Sequence, residues 1–414
     1  MLNVYMMDLW CQVPFYNAYL CQALRGEGIA CTLGSTRFHL EPDYFRQRKL
    51  NINPGLCSVV SGLKVGGTRM RRSLKFLEFC GNLSSLTARF LAIPPDIIHV
   101  QWIPLVDQGL QLELWFLEVA RKRGIKLAYT VHNVLPHDVE IGLKEIFADV
   151  YRLMDALICH TQDARQRLIE EFGLAPEKIS VIPHGPLFYD CAAMEPQEAK
   201  RQLGFSEDDC VVLHQGNVRP YKGLEFLLEA WKSVQASRPN ARLLVVGTGE
   251  TSWLKKIEDR VDALDLRSSV RLDFRYVASH RLPLYYHAAD IAVYPYREIT
   301  QSGALMTGIA FGKPIIATSL PGLREALNGG GLLVEYGDVQ GLAMRLDGLI
   351  RDPQAREKLA RKPSIMDCQK SWSTIAKQTR DCYARLLGGA RAAELPSMLC
   401  DAPVSVRAAR KQEL

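Results

Sequence analysis

Residues 213–231 read LHQGNVRPYKGLEFLLEAW. An apolar run ends at His214, Gly216 opens a loop, and Arg219 and Lys222 precede a segment with helical spacing that begins after Gly223. A strand that breaks at a glycine and resumes as a helix is the working half of a βαβ unit, and the glycine lets backbone approach a ligand closely. In open α/β sheets ligands bind at the carboxyl ends of the strands, where Gly216, Asn217, Arg219 and Lys222 fall. Two cations beside helix-terminal N–H groups suit a diphosphate. Taken alone, the segment fits two solvated surface bases equally well.

The same pattern returns at 289–327, ADIAVYPYREITQSGALMTGIAFGKPIIATSLPGLREAL. A predicted strand runs into a polar loop holding Glu298, Thr300, Gln301 and Ser302, and an apolar helix follows from about Ala304 to Phe311. The amides at Gly303–Leu305 and the positive end of the helix dipole make a second phosphate-binding element. A capped helix packed on a sheet accounts for the apolar face, but not for four polar side chains at that end of the strand.

Outward from these segments, short apolar runs alternate with amphipathic stretches along the chain, the pattern of parallel sheets with crossover helices. Leu2–Met7 is predicted as the first strand and Phe15–Gly26 as the first helix. The pattern relaxes over 186–205, PLFYDCAAMEPQEAKRQLGF, which reads as a linker, and a second α/β series then begins. We expect a first domain over 1–195, a second over 196–370, a helix over 371–387 and a disordered tail over 388–414. Two such halves place a cleft between them.

Composition narrows the class further. At 414 residues, 48% hydrophobic and 23% charged, the chain has ample apolar material for two cores. The net charge of +6 is confined to 41–90, where nine bases meet three acids. So local an excess argues against a general nucleic-acid binder and permits contact with phosphates or an anionic membrane surface. Eleven cysteines, odd in number and with no Cys-x-x-Cys pair, fit reduced buried thiols of a cytosolic protein better than a disulfide framework or structural zinc. No run is apolar for long enough to span a bilayer, and MLNVYMMDLWCQVP, carrying Asp8 and no basic start, reads as a strand rather than a signal peptide.

GNVRPYKGL, SGALMTGIAFGKPIIAT and PGLREAL followed by GGGLLVEYGD resemble the C-terminal half of a family 4 glycosyltransferase of GT-B fold. PDIIHVQW, LAYTVHNVLPHD, ALICHTQDARQRLIEEFG and KISVIPHG resemble the N-terminal half, and SWSTIAKQTRDCYARLL resembles the last helix, which in that family crosses back to the first domain. The resemblance implies an α/β fold of two Rossmann-like domains whose parallel sheets face a central cleft. It implies donor-diphosphate contacts from Arg219 and Lys222; Asn217 stands where the family often has arginine, and Arg219, two residues on, keeps the same face if the strand continues. It places the Gly303 and Ala304 amides at the distal phosphate, and Gly216, Gln301 and Ser302 around the donor. The family's paired glutamates fall on Ile299 and Thr307. Glu298, one position early, stands in for the sugar-binding member, Thr307 offers the ribose a neutral hydroxyl, and Glu325 is the reserve acid near the nucleotide.

In the first half His132 ends a predicted strand facing the cleft, with Asn133, His137 and Asp138 beside it, and is assigned a catalytic role. Pro14 and Asn17 occupy the loop where many relatives carry Gly-Gly, and Trp102 either stacks on a sugar or packs; these three and Asn133 are the acceptor candidates. His184 reads as structural or cleft-lining.

The implied activity is transfer of a sugar from a GDP- or UDP-sugar to a lipid-linked saccharide in exopolysaccharide or cell-surface glycan synthesis, with retention, without metal or other cofactor, and without nucleic acid. A GT-B epimerase or phosphorylase and a catalytically silent partner subunit are the alternatives. Within the basic window, RMRRSLKFLEFCGNL (69–83) fits a helix lying at the inner face of a cytoplasmic membrane, or a solvated helix packed on the sheet.

Overall fold

The computed structural model describes residues 1–63, 67–136, 142–191, 194–360 and 365–388. His137, Asp138 and the tail beyond residue 388 therefore lie outside the described residues.

Two parallel sheets organise the molecule. The first contains β1 (Asn3–Asp8), β2 (Ala30–Ser35), β3 (Asn51–Ile52), β4 (Ile97–Val100), β5 (Lys126–Val131), β6 (Ala156–Cys159) and β7 (Ile179–Val181), in the order 3-2-1-4-5-6-7. The second contains β8 (Cys210–Gln215), β9 (Ala241–Val246), β10 (Val270–Asp273), β11 (Ile291–Tyr294), β12 (Ile315–Thr318) and β13 (Leu332–Val334), in the order 10-9-8-11-12-13. Both orders reverse direction after the first strand of their half, so each sheet has a crevice where loops leave in opposite directions, between β1 and β4 and between β8 and β11. The central strands are buried on both faces: Ile97–Val100, Ile291–Tyr294 and Ile315–Thr318 are buried at every residue. That is why they read as continuous apolar runs rather than alternating ones.

Close packing of loops at the crevice depends on two glycines. Gly223 sits at φ 69°, and a Cβ there would fall 1.9 Å from the Pro295 carbonyl oxygen. A Cβ on Gly308 would fall 2.3 Å from the Tyr294 hydroxyl, so only a bare backbone lets the helix Gly303–Ala310 settle on β11.

The stretch expected to be a linker is partly ordered as the helix Pro196–Gln202. Proline at its first turn starts it, and the buried Lys200 fastens it to the second half: Nζ donates to the Asp209 carbonyl at 2.7 Å and pairs with Asp290 at 2.9 Å. The amphipathic stretch 69–83 belongs to a longer helix, Thr68–Ala92. None of the ten described cysteines is in a disulfide; Cys21, Cys159, Cys368 and Cys382 are buried, and Cys57 is exposed.

The helix Ile365–Leu387 lies against the first half. Trp372 stacks on Tyr19 at 5.5 Å and donates its indole N–H to the Pro186 carbonyl, and Arg380 pairs with Glu27 at 2.7 Å. Further links join the halves. Both Glu325 oxygens accept from the Gln162 amide at the start of the helix Gln162–Phe172, and Glu41 accepts from Tyr276 and Ser279.

Candidate active site

A cleft of about 510 Å³ lies where the two crevices face each other. Its second-half wall is built by the loops after β8, β9 and β11. Gly216 at φ 139° turns the chain away from β8, and Asn217 follows it into the cleft lining. Lys222 ends a short 3-10 turn, Pro220–Lys222, and is 7% exposed. Its Nζ stands 3.8 Å above the Tyr296 ring and 5.2 Å from that of Tyr221, and it has no carboxylate partner among the described residues. Burial pushes its pKa down to about 7. The aromatic faces hold the ammonium in place without neutralising it.

Beside it the helix Gly303–Ala310 begins. Ser302 caps it, accepting from Leu305 N at 3.2 Å, and the Ser302 hydroxyl meets that of Tyr296 at 3.2 Å. Tyr286 and Tyr294 donate to the Ala304 carbonyl at 3.2 and 2.8 Å, which fixes the first turn. The amides of Gly303 and Ala304, lining the cleft, have no intrahelical acceptor. An unpaired cation and a helix N-terminus therefore face the same space.

The first-half wall is of another kind. His132 follows β5, edge-on to Tyr16 at 5.0 Å and stacked under Trp102 at 6.2 Å. Its Nδ1 lies 3.3 Å from His160 Nε2, and His160 Nδ1 lies 2.9 Å from the Ile182 carbonyl. A carbonyl only accepts, so His160 donates to it from Nδ1, and a neutral His160 receives His132 Nδ1–H at Nε2. His132 Nε2 is then a lone pair, so the Gln101 amide 3.1 Å away must present its NH2, at the loss of a weak contact with Met6 sulfur. The Gln101 oxygen then accepts from Thr130, 3.2 Å away. Thr130 accepts from His99 Nε2 at 2.7 Å, and Tyr383 donates to His99 Nδ1 at 2.6 Å. One proton order satisfies the whole chain. Burial holds every ring neutral: it lowers the pKa of His99 to about 3 and of His160 to about 4, and that of His132 well below the ordinary value. His184 also lines the cleft, its Nδ1 2.6 Å from the Gly185 carbonyl, with burial lowering it to about 3.

The structure thus brings Pro14, Trp102, His132 and Asn133 across the cleft from Gly216, Asn217, Lys222, Gln301, Ser302, Gly303, Ala304 and Thr307. Four candidates lie outside the lining. Arg219 is exposed: alternation along a strand does not carry past Gly216, and Val218 instead bridges Gly249. Glu298 is exposed beside Arg297, while Ile299 takes the cleft position. Glu325 is engaged at the Gln162 amide. Asn17 is fully buried and donates to Asp8 at 2.8 Å; Asp8 in turn accepts from the Gln12 and Val13 amides and so shapes the loop after β1. Two candidates have part of their bonding capacity committed. Trp102 donates its N–H to Asp107 at 2.6 Å, and the Thr307 hydroxyl donates to the Gly303 carbonyl at 2.8 Å. Both nitrogens of His132 are committed as well, which leaves its ring face, not a free base, toward the cleft. Sequence reasoning missed Tyr16, Gln101, His160 and Tyr296; the sequence signal for the last three was their place just after strand ends, while Tyr16 sits in the first turn of the helix Pro14–Gly26.

Comparison with known proteins agrees with this geometry. A profile described as Glycosyltransferase Family 4 matches residues 14–185, and one described as Glycosyl transferases group 1 matches 209–352. The chain is 28% identical over 332 residues to the D-inositol 3-phosphate glycosyltransferase of Streptosporangium roseum, covering 74% of each chain. It is 26% identical to that of Corynebacterium aurimucosum, covering 79% of this chain and 80% of the other. Among solved structures it resembles Anabaena HepE in complex with UDP and glucose, with TM-score 0.72 and 18% identity over 93% of this chain and 100% of the other. It also resembles the sucrose-phosphate synthase of Thermosynechococcus elongatus, with TM-score 0.70 and 18% identity over 94% and 99%. With both profiles matching in order on two facing Rossmann-like halves, the chain belongs to the family 4 glycosyltransferases of GT-B fold.

Proposed function

We propose that the protein transfers a hexosyl group, with retention of configuration, from a GDP- or UDP-sugar to a saccharide acceptor in the synthesis of an exopolysaccharide or cell-surface glycan. The observation that carries this reading is Lys222, a buried ammonium without a carboxylate, set beside the free amides of Gly303 and Ala304. A nucleoside diphosphate leaving group develops negative charge where these donors converge, and preorganised donors in a water-poor cleft are the strongest contributors to such a step. Lys222 and the amides carry the neutralisation in this reading, and no metal or other cofactor takes part. Among the described residues no three His, Cys, Asp or Glu side chains group as metal ligands.

The acceptor is a lipid-linked saccharide. The helix Thr68–Ala92 exposes Met70, Phe76 and Leu77 among Arg69, Arg71, Arg72 and Lys75, a composition suited to reversible contact with an anionic leaflet. Among the described residues no helix is long and apolar enough to cross a membrane. The names of the curated relatives support an acceptor that carries phosphate. Titration calorimetry with a panel of GDP- and UDP-sugars tests the reading. Saturable binding of one of them, weakened about tenfold or more by Lys222→Ala, is expected; heat from none would leave a silent partner subunit, the reading that Ile299 and Thr307 favour.

A further inference from the structure

A second cavity, of about 1010 Å³, lies in the first half beside the cleft. Two loops separate them. After β2, Thr36 and His39 face this cavity while Phe38 and Leu40 face the cleft; after β1, Trp10 faces the cavity, Val13 and Pro14 face the cleft, and Gln12 lines both. The far wall is the helix Thr68–Ala92.

The cavity has an unmet charge. Arg72 and Lys75 line it, and neither has a carboxylate partner among the described residues. Among the described residues the one lining acid, Glu78, is engaged: Oε1 accepts from the Val59 and Val60 amides at 2.5 and 3.1 Å. His39 is held below its usual pKa by burial and by Lys75, Arg71 and Arg37, which shows how many cations converge there. The cavity is also amphiphilic. Phe79 and Trp10 pack edge-to-face within it at 5.9 Å, while Phe76 and Leu77 are 40% and 64% exposed. A neutral sugar would leave the cations unpaired, and a soluble phosphate ester would leave Phe76 and Leu77 in water.

We propose that this cavity is a second binding site, taking the phosphate or diphosphate ester of a long apolar chain. Arg72 and Lys75 hold the phosphate oxygens, Phe76 and Leu77 cover the start of the chain, and the attached saccharide passes over Gln12 into the cleft. The assignment rests on the glycosyltransfer reading, and deepens it by giving the acceptor's phosphate a place apart from the donor's.

The test is calorimetry with dodecyl phosphate, dodecyl maltoside and inorganic phosphate, the amphiphiles kept below their micelle concentrations. It uses the wild type, an Arg72→Glu/Lys75→Glu variant and a Phe76→Ser/Leu77→Ser variant. All four side chains are exposed, and unchanged melting temperatures confirm that the variants fold. Dodecyl phosphate should bind about tenfold tighter or more than either other probe, and each variant should lose about tenfold or more of that affinity. Nucleotide-sugar binding should stay within about twofold in both variants. Equal binding of maltoside and phosphate amphiphiles, or undiminished binding in the charge-reversed variant, overturns the site. Inorganic phosphate binding as tightly as dodecyl phosphate also overturns it, in favour of a soluble ester. Nucleotide-sugar binding without dodecyl phosphate binding removes this site alone; dodecyl phosphate binding without nucleotide-sugar binding removes the glycosyltransfer reading alone.

Discussion

The two walls of the cleft meet the same cost of burial in opposite ways. On the first-half wall, Tyr383, His99, Thr130, Gln101, His132 and His160 form one hydrogen-bonded chain that ends on the Ile182 carbonyl, and every histidine stays neutral. On the second-half wall, Lys222 stays unpaired over Tyr296, with two helix amides beside it. A saturated wall gives shape, whereas a wall with unmet electrostatic demand waits for charge. In the proposed reading the diphosphate meets the second-half wall and the less charged groups meet the first.

Acid should break the saturated wall first, and with the largest effect. Five buried histidines, His99, His132, His160, His184 and His214, have folded pKa values below their unfolded value of about 6.5. Their stability is whole above that value and lost as pH falls toward 4, because the unfolded chain takes protons that the folded chain refuses. Asp8 and Asp107, raised by burial to about 6, and Glu113, raised to about 8, gain stability over the same interval but are outnumbered. Each uncompensated proton costs about 1.4 kcal/mol per pH unit. Urea unfolding from pH 7.5 to 4.5 should show a steep fall below 6.5, and a flat profile would mean that the histidines are not neutral.

The other wall is broken by Lys222→Ala. Turnover should fall about tenfold or more, with the melting temperature unchanged or raised, since the variant removes a buried charge that has no partner. Steady-state kinetics and a thermal melt read both arms. The pH dependence of donor binding sharpens this. Lys222, at about 7 in the empty cleft, is raised by a bound anion, so donor affinity should weaken up to about tenfold per unit as pH climbs above 7. In Lys222→Ala that slope should vanish.

Tyr383→Phe asks whether the saturated wall acts as a unit. It leaves a buried nitrogen of His99 without its donor, at a cost of about 1–3 kcal/mol in chemical unfolding, and donor binding should stay within about twofold. Ser302→Ala is the smallest change: loss of the cap on the helix Gly303–Ala310 should cost about 1 kcal/mol.

The two sheets were legible because buried parallel strands write themselves as apolar runs, and the segments around 213 and 289 revealed the ligand edge through glycines and helix starts. Arg219 shows where that legibility stopped. Its placement followed strand alternation, and the φ of Gly216 ends the strand before Arg219 is reached. Glu325 was assigned by position in a motif, yet the first half draws its carboxylate to a helix start far away in sequence. The histidine chain was out of reach for the same reason. His99 and Tyr383 lie 284 positions apart, and no local pattern announces a bond that only the finished fold creates.

The helix Ile365–Leu387 has a consequence for the order in which the protein is made. Trp372 is 3% exposed, covers Tyr16 and Tyr19, and lies so close to Gly185 that a Cβ there would clash with its ring at 2.3 Å. On the ribosome the first half emerges whole while the piece that closes its core is still unmade, and the second half is completed in between. A chain halted before residue 365 should therefore carry a finished second half and an open first one, readable as protease cuts confined to the early strands. A helix made after the second half completes the first.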